Sequence, residues 1–121
     1  MRTIRLTLAF LAFAFLYVAA VAFMLSRPAA GHDAPAGWSY DLACCSGVDC
    51  APIDSDRVKI TPDGYVVEVG PGDHPLITIP STYVFPFDDT RVRFSPDGTY
   101  HLCVSAITQT GLCLYSPGFS G

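Results

Sequence analysis

Sulfur and imidazole supply the reactive groups of this 121-residue chain: cysteines at 44, 45, 50, 103 and 113, and histidines at 32, 74 and 101. Thiolate and imidazole donors suit copper and zinc. A zinc site ordinarily contains a Cys-x2-Cys pair, which these spacings do not provide, and they offer neither a redox Cys-x-x-Cys nor a haem-attaching Cys-x-x-Cys-His. The metal alternative that remains combines His101, the unpaired cysteine and either His32 or Asp49 around copper or zinc. His101 lies two residues before Cys103, on the same strand face, so a Cys-His pairing is geometrically allowed; a partly exposed strand histidine is the simpler reading. His74, in Gly-Asp-His-Pro-Leu, reads as a surface turn residue. Ten of the 11 acidic residues are Asp, most beside Gly, Pro or another turn former, where they bond local backbone. No nucleophile with a positioned base and no phosphate-binding glycine loop appears, so no catalytic residue is assigned and the chain does not read as an enzyme.

The remaining role for the sulfur is structural. Five cysteines allow two bridges with one thiol left over, in 15 arrangements. A vicinal Cys44–Cys45 bridge strains its peptide, and Cys103–Cys113 depends on an unfavourable hairpin register. The favoured scheme ties Cys44, Cys45 or Cys50 to Cys103 and Cys113. The odd cysteine is then buried, capped, or used to join two chains.

The elements that must hold these residues follow a strong N-terminal signal. Leu6 to Leu25 carries no charge, Arg2 and Arg5 precede it, and the first acid is Asp33. This pattern fits either a cleaved export signal or an uncleaved anchor, since 20 residues of helix rise about 30 Å. Cleavage sites fall before Phe23 and before His32. Either way the positive-inside rule leaves the N-terminus in the cytoplasm and puts the rest outside: periplasmic, secreted, or held on the inner membrane. Residues 26–37 read as a flexible tether, 38–117 as a small β domain and 118–121 as a tail.

Two related strings, Arg57–Tyr65 and Arg91–Tyr100, share Arg-Val and Pro-Asp-Gly at an offset of 34 residues. Each predicts a β-hairpin, with Pro setting the first turn dihedral and Gly taking positive φ. The first pairs 57–60 with 65–69, and the second pairs 91–94 with 99–107. A short strand is expected at Leu76–Ile79, proline-limited edge pieces follow in Thr-Tyr-Val-Phe-Pro-Phe, and 112–115 returns along the last long strand. The fold class is therefore all-β: a disulfide-stabilised antiparallel sheet or meander of five to seven short strands behind one apolar helix.

The strings Trp-Ser-Tyr-Asp-Leu-Ala-Cys-Cys-Ser-Gly-Val-Asp-Cys-Ala-Pro from Trp38, Ser-Pro-Asp-Gly-Thr-Tyr-His-Leu-Cys-Val from Ser95 and Cys-Leu-Tyr-Ser-Pro from Cys113 resemble a group of small exported, uncharacterised bacterial proteins, mostly alphaproteobacterial. The resemblance covers about Trp38 to Pro117. It implies that Asp49, His101 and Tyr115 belong to a shared pattern, and it brings no activity with it.

Beyond Leu25 the chain has 5 basic and 11 acidic residues, a net of -6. That argues against nucleic acid and against an anionic membrane surface as partners, since each needs a basic patch. The expectation is a binding module for a protein or envelope component, with no cofactor, contacting through Trp38, Tyr40, Tyr83, Phe85, Phe87 and Tyr115.

Overall fold

The computed structural model describes residues 1–25, 30–45 and 47–118. Helix α1 spans Arg2–Leu25. Its Leu6–Leu25 stretch has mean hydropathy 2.6, is long and apolar enough to cross a membrane, and buries nothing against the rest of the chain.

Nine strands follow among the described residues: β1 (Ala30–Asp33), β2 (Ser39–Asp41), β3 (Cys50–Ile53), β4 (Val58–Thr61), β5 (Gly64–Val69), β6 (Ser81–Pro86), β7 (Val92–Phe94), β8 (Tyr100–Val104) and β9 (Gly111–Ser116). They form three small sheets in place of one meander: β1-β2, β3-β8-β9-β7 and β4-β5-β6. The strand count exceeds the expected five to seven because β1 lies in the segment read as a tether and β3 begins in the segment read as a cysteine loop.

The four-stranded sheet is covered on both faces, and period-2 alternation explains how. Leu102 and Val104 of β8, Leu114 of β9 and Ile53 of β3 meet Tyr65, Val67 and Val69 of β5 and Phe85 of β6 in one core. The intervening residues Cys103, Cys113, Tyr115 and Cys50 point the other way, into a second core with Tyr40, Cys44, Cys45 and Ala34. One face of the sheet is hydrocarbon and the other is sulfur and aromatic.

The first Pro-Asp-Gly segment forms the expected hairpin, with Val58 opposite Val67 and Thr61 opposite Gly64. Gly64 has φ 150°, and a Cβ there would collide with the Phe85 carbonyl oxygen. The second segment corrects the expectation. β7 pairs in parallel with β9 and not with β8, placing Val92 opposite Leu114. Ser95 N–H donates to the Ser116 carbonyl at 2.8 Å, carrying the chain along β9 before it turns into β8. β8 ends at Val104, and Ile107 lies in the following exposed loop.

Two further expectations change. Within 26–37, residues 26–29 lie outside the described residues, but Ala30–Asp33 is a strand on β2, so structure begins well before Trp38. Leu76–Ile79 is not a strand. His74 Nδ1 accepts the Leu76 N–H at 3.1 Å and the His74 carbonyl accepts the Ile77 N–H at 3.1 Å, using those donors locally. β6 is the edge strand its prolines suggested, and of the tail only Gly118 is described.

Candidate functional site

The sulfur face of the four-stranded sheet gathers most of the chain's chemistry-bearing residues. Cys50, Cys103 and Cys113 lie in one row across β3, β8 and β9, with Cys50 opposite Cys103 and Cys103 opposite Cys113. The bridges are Cys50–Cys103 and Cys44–Cys113. Both join the early cysteine cluster to the last hairpin, and Cys45 is left as a buried free thiol.

Bridged Cys44 anchors the loop that carries Cys45. The Cys44 and Cys45 N–H groups both donate to the Asp41 carbonyl at 2.9 Å, which folds the chain back after β2. Cys45 Sγ then sits 2.8 Å from Nδ1 of His32 on β1 and 3.1 Å from the Gly47 carbonyl. β1 reaches this close because of Gly31. A Cβ there would lie 2.5 Å from the Cys45 carbonyl oxygen and 2.9 Å from that of Tyr40.

Beside the thiol runs a polar chain through aromatic rings. Tyr40 Oη is 2.8 Å from His101 Nδ1, and His101 Nε2 is 2.9 Å from Asp97 Oδ2. Trp38 Nε1 donates to the same Asp97 oxygen at 2.9 Å, while the Thr99 N–H and hydroxyl donate to Oδ1. Burial pushes the Asp97 carboxyl upward, but the bonds from Trp38, Thr99 and His101 outweigh it and hold the pKa well below the usual carboxylate value. Asp97 is therefore an acceptor only, which places hydrogen on His101 Nε2; in the neutral ring Nδ1 accepts from the Tyr40 phenol. Burial, reinforced by the negative charge available to Cys45 and Asp97, raises the Tyr40 pKa well above that of a free phenol.

Rings of Trp38, Tyr40, His101 and Tyr115 pack tilted or edge-on with centroids 4.8 to 5.6 Å apart. Tyr115 Oη accepts the Asp41 N–H at 2.9 Å, tying β9 to the end of β2. This network fastens the two-stranded β1-β2 ribbon to the main sheet, which such a ribbon needs, since two strands alone are marginal in water.

The contact aromatics predicted from sequence are mostly interior. Tyr40, Phe85 and Tyr115 are buried, Trp38 and Tyr83 are half-buried against the two cores, and Phe87 is 40 % exposed. The reason is that both faces of the central sheet are covered, so the small domain shelters far more ring surface than a single-sided sheet would. Exposed Phe94, at 70 %, joins Phe87, Tyr65 and Val92 around a cleft of about 250 Å³ beside β7. Phe94 was missed because it was read as the end of a hairpin strand.

The donor set of the metal alternative is not brought together. His32 meets Cys45, but both ring nitrogens of His101 are engaged by Tyr40 and Asp97, and Asp49 sits half-buried with its carbonyl bonded to the Val104 N–H. Among the described residues no three His, Cys, Asp or Glu side chains are arranged to hold a metal ion. His101 is fully buried, not partly exposed, and His74 is buried, not at the surface. His74 Nε2 donates to the Leu102 carbonyl at 3.0 Å, and desolvation lowers its pKa.

Comparison with protein-family models, curated proteins and solved structures yields no match.

Proposed function

We propose that this chain is an exported, disulfide-stabilised β module, held at or released from the outer face of the inner membrane, that binds an envelope protein through the apolar cleft at β7. The observation that carries the reading is the exposure of Phe94 and Phe87 on one cleft next to an open sheet edge. Other exposed apolar side chains, such as Ile60 and Ile107, are far apart in the chain and sit on separate elements, which is ordinary for a protein surface. Export is supported by the apolar Leu6–Leu25 helix and by two bridges of a kind that persists in oxidising compartments.

A photocrosslinking residue placed at Phe94, and separately at Ile60 on the other sheet, tests the assignment in intact cells. The expected result is a discrete adduct from position 94 that is missing from position 60 and is competed by the unlabelled chain but not by its Phe94→Ser variant. Identical patterns from both positions, or none from either, overturn it. Protease access to the β domain from outside the inner membrane is the expected topological result.

A further inference from the structure

Resting on the binding reading of the β7 cleft, we infer that the open edge of β7 takes up one extended segment of the partner protein in antiparallel register, with an acidic side chain opposite Arg93 between two apolar ones that enter the cleft. Strand addition of this kind draws affinity from the backbone and selectivity from alternate side chains.

The backbone sets the register. The Arg91 carbonyl accepts the Leu114 N–H at 2.9 Å and the Ser95 N–H donates to the Ser116 carbonyl at 2.8 Å, so residues 91, 93 and 95 turn their polar groups to β9. Residues 92 and 94 face away from the sheet. The Val92 N–H is held by the Asp89 carbonyl at 3.0 Å, while the Val92 carbonyl and both backbone polar groups of Phe94 have no partner among the described residues. An added antiparallel strand satisfies all three; a parallel one reaches only the Val92 carbonyl and the Phe94 N–H. At the opposite edge of the same sheet β3 carries Pro52, which has no N–H to offer a further strand.

The side chains set the chemistry. Val92 and Phe94 share the face of the strand that lines the cleft with Tyr65 and Phe87, so the two residues opposite them are apolar. Arg93 points to the other face. Arg91 is folded back onto Asp89 and the Gly111 carbonyl, but Arg93 is partly exposed, its Nε has no hydrogen-bond partner among the described residues, and its carboxylate neighbour Asp41 stays 3.6 Å away. An acidic side chain opposite Arg93 supplies the bond that Asp41 does not make. A second copy of this chain does not: pairing Val92 with Phe94 edge to edge sets Arg93 against Arg93, like charges directly opposite. Pairing Phe94 with Phe94 sets Pro96, which lacks an N–H, against the Val92 carbonyl.

The probe is the capped peptide Thr-Val-Glu-Val-Thr, added at millimolar concentration to the full chain in detergent micelles with both bridges intact and followed by amide hydrogen exchange in β7. The expected result is slower exchange of the Phe94 N–H and no change at Val92, whose N–H is already bonded. Replacing Glu by Lys in the peptide should weaken binding about tenfold, and Arg93→Glu should reverse the preference by about the same factor. That reversal separates recognition of charge from loss of fold. N-methylation of both valines, whose N–H groups reach the Val92 and Phe94 carbonyls, should cost about tenfold or more, whereas N-methylation of Glu, whose N–H faces outward, should cost little. Equal affinity for the Glu and Lys peptides, equal loss from the two methylations, or no protection of Phe94 overturns strand addition; a discrete crosslinked adduct from position 94 in that case leaves the cleft reading standing. Protection of Phe94 that rises with the concentration of the chain alone gives the edge to a second copy and also overturns it.

Discussion

Tyr40 Oη and His101 Nδ1 lie 2.8 Å apart although 61 residues separate them, and both side chains are almost completely buried. The bond closes a chain that starts at Asp97 and ends on β2 of the ribbon whose other strand carries His32. Tyr40→Phe keeps the ring packing but leaves a buried imidazole nitrogen without its donor, at a cost of about 1 to 3 kcal/mol. Thermal denaturation should show a midpoint lowered by several degrees, on the scale of about 4 to 8 °C per kcal/mol for a domain this small. An unchanged midpoint would mean that the hydroxyl contributes nothing.

Removing the Cys44–Cys113 bridge by a double Ala substitution should destabilise the domain by about 4 kcal/mol, because the tie spans 69 residues and loop-closure entropy grows with length. Hydrogen exchange should rise first in β1, β2 and the cysteine loop. The β4-β5-β6 sheet contains no cysteine and should keep its protection longest. Uniform loss of protection would contradict this order.

Acid should weaken the fold in two stages. His74 has a folded pKa below its free value of 6.5, so the unfolded chain binds the proton better and stability falls as pH drops below about 6.5 toward the folded value. Asp97, whose folded pKa is also lowered, contributes stability that is complete above its free value of 3.8 and is lost as pH falls through the folded one. Urea midpoints should therefore be higher at neutral pH than at mildly acidic pH, and Asp97→Asn should remove the stage at strongly acidic pH alone.

Gly64→Ala should cost at least about 1 kcal/mol, since φ at this site is one that L side chains rarely adopt and the added methyl group faces the Phe85 carbonyl. Gly98→Ala, also at positive φ but with open space around it, separates the two contributions by showing the backbone part alone. Equal losses at both positions would remove the steric contribution.

Local chemistry made part of this architecture readable. Pro62, Asp63 and Gly64 define a turn closed locally, with the Thr61 hydroxyl donating to the Gly64 carbonyl at 3.0 Å, so the first hairpin follows from sequence. The same three residue types at 96–98 do not behave alike, because Asp97 is claimed by Trp38 and His101, and Ser95 by Ser116. Those partners lie 59 and 21 residues away in Trp38 and Ser116, and no local rule reports them. The pairing of the early cluster with Cys103 and Cys113 is as expected, but the register reason behind it is corrected, because Cys103 stands directly opposite Cys113 and the hairpin does not keep them apart. Which thiol stays free was not legible, and neither was the strand that covers it, since Ala30, Gly31, His32 and Asp33 have no apolar alternation to announce β1. Exposure of the aromatics was misjudged for the related reason that a sheet covered on both faces leaves no outward row of rings.

Each native bridge joins a cysteine of the first cluster to one made 53 or 69 residues later. A chain that emerges N-terminus first therefore presents Cys44, Cys45 and Cys50 together long before either correct mate exists. Any oxidant acting on it at that moment can make only wrong pairs, and the finished molecule is reached by holding those thiols reduced or by reshuffling them afterwards. The order of bonds in this small domain makes the timing of oxidation matter as much as oxidation itself.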